Sequence, residues 1–435
     1  MRAGYKLTEV GVIPEDWAAV PLKGKVGIAH GFAFASEHFA SYGPYRLATP
    51  GHFYEAGGFR DIGEKQKYYV GPVPSDYVLQ PGDVIVAMTE QSDGLLGSAA
   101  VIPAEHSHLH NQRLGRVTVR SSDIQLEYLV YVFNSPSYRT KVRETAAGTK
   151  VKHTSPEKLL EIFVRLPLLT EQRAIAAALS DVDALLAKLE QLIAKKRDLK
   201  QAAMQQLLTG QTRLPGFEGA WEVVRAGDVG QFRGGSGFPI KYQGMKGGEY
   251  PLFKVSDMNN VGNEIFMETA NNFIDEVLRK KLGATVFPAG SIVLAKVGAA
   301  VFLERKKILS KASCLDNNMA AFVMDSSRAN CRFIHYAMLN KKLGNLVSTT
   351  ALPSLSGTIL SAIEIALPPL AEQTAIAAVL SDMDTDLAAL EARRDKTRAL
   401  KQGMMQELLT GRIRLVSPEA INNQKVSRDD SNHTH

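Results

Sequence analysis

Two similar stretches decide the architecture of this chain: LPLLTEQRAIAAALSDVDALLAKLE at residues 166–190 and LPPLAEQTAIAAVLSDMDTDLAALE at residues 367–391. They lie 201 positions apart, and the match runs without a gap over residues 166–214 and 367–415. About 30 of the 49 paired positions are identical, far more than two unrelated helices share. We therefore interpret the chain as an internal duplication with a period near 200 residues, far longer than a solenoid repeat.

Both stretches have the pattern of a long amphipathic helix. Apolar residues alternate at spacings of four and three, which is typical of a coiled-coil seam. They are Ile175, Leu179, Val182, Leu186, Leu189 and Ile193 in the first copy, and Ile376, Leu380, Met383, Leu387 and Leu390 in the second. Leu-Pro pairs precede the helices, and Gly210 and Gly411 are typical stops. Each helix should have about 40 residues. A stripe this narrow favours packing of one helix on the other, antiparallel if the two halves are related by a pseudo-twofold axis.

The sequences before the two helices predict mixed α/β domains. Runs such as DVIVAM, GRVTVR, SIVLAK and AAFVM are typical of short strands, whereas residues 126–142 and 332–347 have the pattern of helices. The expected fold class is therefore α+β: two mixed α/β domains separated by two long antiparallel helices that form a coiled coil, duplicated about a pseudo-twofold axis. The expected boundaries are 1–165 and 213–366 for the domains, 166–212 and 367–415 for the helices, and 416–435 for a disordered polar tail.

The duplication extends more faintly into the two domains. Residues 14–17 resemble the setting of Trp221, and LQPGDVIVAM at 79–88 resembles FPAGSIVLAK at 287–296. Residues 110–113 (HNQR) match residues 316–319 (DNNM), and residues 148–167 correspond to residues 351–368. Each half is thus a variable globular part followed by a similar helix.

Composition and charge limit the functional classes. A chain of 435 residues is too long for one ordinary core, and a net charge of +6 permits a nucleic-acid partner without requiring one. The sequence has no apolar run long enough for a membrane span and no secretory signal. Its only cysteines, Cys314 and Cys331, do not form a disulfide framework, so we expect a cytoplasmic protein.

Sequence motifs of catalysis are missing. There is no P-loop, no GxSxG elbow, no HExxH helix and no D/N-P-P-Y/F string for gripping a flipped base. His106, His108 and His110 would share one face of a strand, but no cysteine or carboxylate completes a metal site. A metal site and a polar loop or strand are both open interpretations of these histidines.

Three other polar features have two interpretations each. Gly234-Gly235-Ser236-Gly237 is either a phosphate cradle or a flexible turn, and residues 89–94 either read bases or form a simple turn. The helix seam lapses at Lys195, Lys196, Arg197 and Lys200, and again at Arg393, Arg394, Lys396, Arg398 and Lys401. These cations form either a solvated helix face or a basic surface for DNA or a partner subunit.

The paired LPxLxEQ helices, their LKQ and LLTG endings and the GVIPEDW opening resemble the specificity subunits of Type I restriction–modification systems. The resemblance covers the chain except its tail, and it implies two target recognition domains separated by two conserved helices. It also implies three partners: double-stranded DNA, modification subunits that methylate adenine with S-adenosylmethionine, and restriction subunits that use ATP and Mg. The chain itself would hold no cofactor, no metal and no catalytic residue. It would be a non-catalytic subunit that reads a split target and positions the other subunits.

The resemblance does not transfer base contacts, because the recognition domains vary between family members. Residue type and matched position predict DNA contacts at Asn111, Gln112, Arg113, Asn317 and Asn318, and phosphate contacts at Lys150, Lys152, His153 and Lys296. Solvated polar groups are the alternative for these residues. Glu171, Gln172, Glu372 and Gln373 are predicted to form a subunit interface, with domain docking or helix capping as alternatives.

A second functional class is open on sequence grounds: a coiled-coil scaffold protein with two ligand- or peptide-binding domains. Salt dependence separates the two classes, because a protein that contacts several phosphates loses affinity steeply as the salt concentration rises. A standalone restriction enzyme is disfavoured, because motor and methylase motifs are missing from the sequence.

Overall fold

The computed structural model describes residues 3–90, 94–149, 151–347 and 353–416. The chain divides into two compact units. Unit 1 is the chain up to Lys188 together with the chain from Arg393 onward, and unit 2 is Leu189–Ala392. Lys150, the middle of the predicted polar loop at residues 91–93, and all of the predicted disordered tail except Val416 lie outside the described residues.

Unit 1 contains the first α/β domain. Its strands are β1 (Tyr5–Thr8), β2 (Gly11–Pro14), β3 (Ala18–Pro21), β4 (Val26–His30), β5 (Phe39–Ala40), β6 (Tyr45–Leu47), β7 (Tyr68–Tyr69), β8 (Val78–Leu79), β9 (Val84–Ala87), β10 (Thr89–Glu90), β11 (Ala99–Val101), β12 (His108–Leu109), β13 (Leu114–Val119), β14 (Lys152–His153) and β15 (Phe163–Leu166). Its helices are α1 (Leu126–Phe133), α2 (Pro136–Thr145) and α3 (Pro156–Glu161), followed by the long α4 (Leu169–Leu207), which continues into unit 2.

Two larger sheets form the body of this domain. One is antiparallel with the strand order β11-β9-β13-β4, and the other has the order β5-β7-β6-β12-β8. The adjacent strands β12 and β13 connect the two sheets through the short turn that follows Leu109. This turn therefore lies at the edge where the two sheets meet.

The single helix predicted over residues 126–142 is two helices, α1 and α2. Ser135 begins the second helix, because its hydroxyl accepts a hydrogen bond from the backbone nitrogen of Tyr138 at 3.4 Å. Pro136 occupies the first helical position, where its missing N–H costs nothing but where it cannot continue a preceding helix. The pattern of apolar residues alone does not reveal this break between α1 and α2.

Unit 2 contains the second α/β domain. Its strands are β16 (Glu222–Arg225), β17 (Gly230–Gly234), β18 (Tyr250–Phe253), β19 (Phe266–Met267), β20 (Asn272–Ile274), β21 (Ile292–Ala295), β22 (Lys306–Leu309), β23 (Cys314–Leu315), β24 (Met319–Met324) and β25 (Glu364–Leu367). Its helices are α5 (Glu276–Leu282), α6 (Cys331–Leu339) and α7 (Gly357–Ser361), followed by the long α8 (Leu370–Leu408), which continues into unit 1.

Unit 2 also has two larger sheets, one with five strands and one with three, against four and five in unit 1. One has the order β17-β24-β21-β22-β19 and the other has the order β20-β18-β23. The helix predicted over residues 332–347 ends at Leu339 and is followed by a 3-10 turn, Leu343–Leu346. As in unit 1, consecutive strands (here β23 and β24) carry the chain from one sheet to the other.

The helices α4 and α8 have 39 residues each, about 58 Å at 1.5 Å per residue. Within unit 1, Asp183 of α4 pairs with Lys401 of α8 at 2.6 Å. Within unit 2, Lys196 of α4 pairs with Asp386 of α8 at 2.9 Å. Lys200 of unit 2 pairs with Asp384, so within this unit the α8 number falls as the α4 number rises and the two segments run antiparallel. The predicted α+β class, with two mixed domains and two long antiparallel helices, is confirmed.

Each long helix begins inside the core of the domain that precedes it. Ile175 and Leu179 are buried in the main core of unit 1 together with Met405 and Leu408 from the end of α8. In unit 2, the matching core residues are Ile376 and Leu380, together with Met204 and Leu207 from the end of α4. Thus each domain core includes the start of one long helix and the end of the other.

Candidate nucleic-acid interface

The turn between β12 and β13 holds the three predicted DNA contacts of unit 1. The side-chain Oδ1 of Asn111 accepts a hydrogen bond from the backbone nitrogen of Arg113 at 3.0 Å. The backbone nitrogen of Leu114 donates to the carbonyl of Asn111 at 2.9 Å, which closes the turn. Asn111 therefore serves the turn itself, while the side chains of Gln112 and Arg113 are exposed.

The turn between β23 and β24 has the same construction in unit 2. Asp316 Oδ1 accepts from the backbone nitrogen of Asn318 at 3.1 Å, and the Met319 nitrogen donates to the Asp316 carbonyl at 3.1 Å. Burial raises the pKa of the Asp316 carboxyl. The side chains of Asn317 and Asn318 are exposed.

Comparing the two turns corrects the sequence match by one residue. Their hydrogen bonds equate Asn111 with Asp316, whereas the sequence match paired His110 with that aspartate. Gln112 and Arg113 consequently correspond to Asn317 and Asn318. The sequence match was wrong by one residue because asparagine and aspartate can both accept the hydrogen bond that forms the turn. A match based on identical residues does not detect that Asn111 and Asp316 are equivalent.

A glycine packs against each turn. A Cβ atom on Gly31 would lie 2.2 Å from the carbonyl oxygen of Asn111, and one on Gly235 would lie 2.1 Å from that of Asp316. Any side chain at these positions would displace the turn. Gly235 belongs to the glycine-rich run of residues 234–237, so close packing on the turn accounts for at least this glycine.

Lys296 lies beside the turn of unit 2. Its backbone nitrogen donates to the carbonyl of Asn318 at 2.8 Å, and a Cβ on Gly234 would lie 2.6 Å from its ammonium nitrogen. The corresponding position of unit 1 is Met88, whose nitrogen donates to the carbonyl of Arg113 at 3.0 Å. The structure therefore brings the backbone of Lys296 against Asn318 in this turn, while its predicted phosphate contact stays a prediction.

Lys152 and His153 form β14, which pairs with β10 in the register Thr89 to His153 and Glu90 to Lys152. The Lys152 ammonium lies 4.0 Å from a carboxylate oxygen of Glu90, and His153 is exposed. The other Glu90 oxygen accepts hydrogen bonds from the backbone nitrogens of Gly94, Leu95 and Leu96, at 3.2, 2.7 and 2.7 Å. For Glu90, this supports the turn-forming interpretation of the polar loop.

The three histidines before the unit 1 turn differ in environment. His108 and His110 are buried, with ring nitrogens within 2.9 Å of the carbonyls of His106 and Leu114 respectively. Burial lowers the pKa of both rings to about 4. His106 is exposed. Within the described ranges, no group of three or more His, Cys, Asp or Glu residues has the geometry to hold a metal ion.

A buried carboxylate fastens each domain to the helix that follows it. In unit 1, Glu171 accepts a hydrogen bond from the indole nitrogen of Trp17 at 2.9 Å. Arg414, just beyond α8, donates two bonds to the same carboxylate at 2.7 and 2.8 Å. In unit 2, Glu372 receives the equivalent bonds from Trp221 at 3.1 Å and from Arg213 at 2.6 and 2.7 Å.

The glutamine that follows each glutamate holds a second element. Gln172 accepts from the backbone nitrogen of Gln125, at the start of α1, and donates to the carbonyls of Asp123 and Pro167. Gln373 makes the matching bonds to the nitrogen of Asn330 and to the carbonyls of Arg328 and Pro368. The repeated Glu-Gln pair thus docks the long helix onto its domain.

These contacts use the polar atoms of Glu171, Gln172, Glu372 and Gln373 within the chain, and all four residues are 0% exposed. Their predicted contact with other subunits stays a prediction, and internal docking accounts for them in the isolated chain. Sequence reasoning missed Arg213 and Arg414, although each lies three residues after its helix-stop glycine within the repeated segment.

Several cations in the lapsed seam have acidic partners on the opposite helix, whereas Arg394 and Arg398 pair with Asp395 of their own helix. Lys196 pairs with Asp386, Arg197 with Glu391 and Lys200 with Asp384 in unit 2. In unit 1, Lys401 pairs with Asp183, which also accepts a hydrogen bond from Tyr131 at 3.0 Å. The equivalent tyrosine in unit 2, Tyr336, donates to Asp384 at 2.5 Å. Several of these cations therefore join the two helices.

The duplication seen in these contacts is also found in comparison with known proteins. A family model described as the Type I restriction modification DNA specificity domain matches residues 14–197 and again residues 218–398. The chain belongs to this family. The predicted resemblance is thereby confirmed, and family membership favours DNA specificity over the scaffold alternative.

Named relatives of this DNA specificity family agree. The Type I restriction enzyme MjaVIII specificity subunit of Methanocaldococcus jannaschii is 28% identical over 305 residues, 66% of this chain and 70% of that protein. The putative MjaX specificity subunit of the same organism is 24% identical, over 94% of this chain and 97% of its own length. The crystal structure of the S subunit from M. genitalium aligns with a TM-score of 0.59 at 14% identity, covering 94% and 99% of the two chains, which supports the fold.

Membership in the specificity family confirms that the chain is a non-catalytic subunit rather than an enzyme in its own right. Among the residues that the structure describes, no helix combines the length and apolar character needed to cross a bilayer. The matched segments include both turns and both starts of the long helices. The two turns and the Glu-Gln pairs at the starts of the long helices therefore lie within a DNA specificity domain that occurs twice in one chain.

Proposed function

We propose that this chain reads a target in two parts on double-stranded DNA, one part with each unit. In this proposal residues 1–165 and 213–366 are the recognition domains, and residues 166–212 and 367–415 are the helices that set the distance between the half-sites. The chain positions modification and restriction subunits on the DNA. S-adenosylmethionine, ATP and Mg belong to those subunits.

One observation carries the proposal: the same turn occurs in both units with different exposed side chains. Gln112 and Arg113 project from the turn of unit 1, and Asn317 and Asn318 project from the turn of unit 2. Arginine suits the O6 and N7 acceptors of guanine, whereas asparagine and glutamine suit adenine. A shared scaffold with different readers is what recognition of two unlike half-sites requires.

The other predicted contacts surround these turns in the proposal. Asn111 supports its turn, Lys296 meets phosphate beside Asn318, and Lys152 and His153 meet phosphate in unit 1. Lys150 is a further proposed phosphate contact. Phosphate contacts hold the register of the protein on the duplex, while base contacts specify the sequence.

Mapping methylated adenines tests the proposal. The chain is expressed with its modification subunits, and methylated positions are mapped in genomic DNA for the wild type, Arg113→Ala and Asn318→Ala. Each variant should relax one half of the target and leave the other unchanged, by about 1–3 kcal/mol of discrimination per lost base contact.

Exchanging residues 1–165 for those of another family member is the matched test at the domain level. It should replace one half-site completely and leave the other unaltered. Changes in both halves after the exchange, or unrelaxed targets for both point variants, would contradict the proposed division of reading between the units.

A further inference from the structure

Two lysines of unit 2 share one aromatic ring close to the turn. The ammonium of Lys241 lies 5.1 Å from the ring centroid of Tyr242, and that of Lys281 lies 6.0 Å from it. The neighbouring Lys281 ammonium lowers the pKa of the Tyr242 phenol. We call Lys241, Tyr242 and Lys281 the lysine–tyrosine patch. The patch holds two positive charges over one small area.

Ser236 connects this patch to the turn. Its backbone nitrogen donates to the carbonyl of Leu315 at 2.9 Å, and Ser236 forms a bridge with Asp316, the first residue of the turn. Its hydroxyl donates at 3.2 Å to the carbonyl of Gly283, which ends α5, the helix of Lys281. Through Ser236, the end of the helix that carries Lys281 is therefore linked to the start of the turn that carries Asn317 and Asn318.

The charges of the patch are available to a ligand. Lys241 and Lys281 are both exposed. Among the described residues, neither has a carboxylate within ion-pairing distance, whereas the neighbouring Arg279 and Lys280 both pair with Glu276, at 2.6 and 3.5 Å. The polyanion that unit 2 is proposed to bind would supply the missing negative charge.

Unit 1 does not repeat this patch. The 3-10 turn Ser36–His38 begins five residues after Gly31, as Ile240–Tyr242 begins five residues after Gly235. Glu37 and His38 therefore occupy the positions of Lys241 and Tyr242. Glu37 is exposed, and its carboxylate lies 3.8 Å from the His38 ring nitrogen. An exposed carboxylate at this position repels phosphate.

We propose that the lysine–tyrosine patch binds the phosphate backbone of DNA beside the half-site that the turn of unit 2 reads. The contact gives unit 2 two phosphate neutralisations, one of them at the position where unit 1 has Glu37. The inference rests on the proposed function, and it adds residues that neither the sequence pattern nor the family assigns. Because lysine acts as a point charge, the contact contributes affinity and not base discrimination.

The test compares salt dependence in the complex with modification subunits, on a duplex that carries the mapped methylation site. Each phosphate that the protein neutralises releases bound counterions from the DNA. Each such contact therefore adds about 0.9 to the magnitude of the slope of log affinity against log salt concentration. The slope should fall by about 0.9 for Lys241→Gln and by about 1.8 for the double variant Lys241→Gln/Lys281→Gln. Discrimination between correct and altered half-sites should not change.

Arg225→Gln is the matched control. Arg225 is exposed and ends β16, next to the beginning of β17, where Gly230 pairs with Met324. The turn adjoins the other end of β17, four residues further on and roughly 13 Å along the strand. This variant loses one positive charge from the same unit but should retain the wild-type slope.

The outcomes distinguish the patch from the proposed function. An unchanged slope in the double variant, or an equal loss in Arg225→Gln, would overturn the patch while leaving half-site reading intact. No salt-dependent binding by the wild-type complex would instead overturn the proposed function. Thermal unfolding checks that the exposed substitutions leave the fold intact.

Discussion

The indole nitrogen of Trp17 and the carboxylate of Glu171 lie 154 residues apart in sequence and 2.9 Å apart in the fold. Trp221 and Glu372 repeat the relationship in unit 2 at 3.1 Å. In both units an arginine completes the cluster with two further bonds to the carboxylate. The side-chain nitrogens of a tryptophan and an arginine thus converge on one buried acid.

Glu171→Ala should destabilise unit 1 markedly. The substitution leaves the Trp17 N–H without its acceptor and leaves Arg414 with Asp16 as its remaining carboxylate partner. Losing hydrogen bonds between a buried carboxylate and a charged donor costs about 1.5–3 kcal/mol, which urea unfolding would detect as a lower free energy of unfolding.

Asp386→Ala is the control for that change. Its ion pair with Lys196 is exposed, so its loss should cost about 1 kcal/mol or less. Equal losses of unfolding free energy in Glu171→Ala and Asp386→Ala would show that the buried cluster stabilises the protein no more than an exposed ion pair does.

Asp384→Ala should destabilise the protein more than the matched Asp183→Ala. Asp384 accepts from Tyr336 and pairs with Lys200 and Arg332, and its side chain is 16% exposed. Asp183 has Tyr131 and Lys401 as partners and is 41% exposed. We expect losses of about 2–3 and about 1 kcal/mol in urea unfolding, because burial strengthens charged hydrogen bonds. The reverse order would contradict this assignment.

Acid should weaken the protein through its buried histidines before its carboxylates titrate. Burial lowers the pKa of His108, His110 and His335 to about 4, against about 6.5 for an unfolded chain. The folded state holds these rings neutral, so their contribution is complete above pH 6.5 and is lost as the pH falls from 6.5 towards 4. Between pH 7 and pH 5 each ring should cost about 2 kcal/mol.

The measurement is the free energy of unfolding from urea titrations between pH 8 and pH 5. His335→Gln should reduce the loss of unfolding free energy between pH 7 and pH 5 by about 2 kcal/mol. The reason is that the variant has one ring fewer to take up a proton on unfolding. A profile in His335→Gln as steep as that of the wild type would refute the role of burial.

Lengthening both long helices should lengthen the spacer of the target. Lys195 and Lys396 occupy matched positions of the duplicated segment. Four residues inserted after each add about 6 Å of helix and rotate it by about 40° beyond a full turn. At about 3.4 Å per base pair, the mapped methylation sites should move apart by one to two base pairs.

Two-residue insertions at the same places are the control. They rotate each helix by about 200°, which turns its apolar stripe away from the partner helix, so methylation should be lost. Unaltered spacing in the four-residue variant would show that the helices do not set the distance.

The long helices were predictable from the sequence because heptad spacing and flanking proline and glycine are local signals. Ile175 and Ile376, placed in the seam by their spacing, are buried, each in the main core of its own unit. The clusters around the two glutamates were not predictable in the same way. Arg414 and its partner Glu171 are 243 residues apart, and an arginine after a helix stop has no local pattern that names its partner.

The turns show where a sequence match loses its register. Asn111 and Asp316 are equivalent through one hydrogen bond each, although the residues before them, His110 and Leu315, are unlike. The lysine–tyrosine patch was also beyond sequence reasoning. Its lysines are 40 positions apart, and only the fold brings both onto the ring of Tyr242.

The composition of unit 1 has a consequence for synthesis on the ribosome. Unit 1 combines the chain up to Lys188 with the chain from Arg393, whereas unit 2 is one continuous segment. A nascent chain emerges from its N-terminus, so unit 2 has all its parts before unit 1 receives Met405, Leu408 and Arg414. Until those residues have been synthesised, the apolar core of the first domain is incomplete and exposed. If translation stopped just after Ala392, unit 2 would therefore be complete, whereas unit 1 would lack part of its core and would be prone to aggregation.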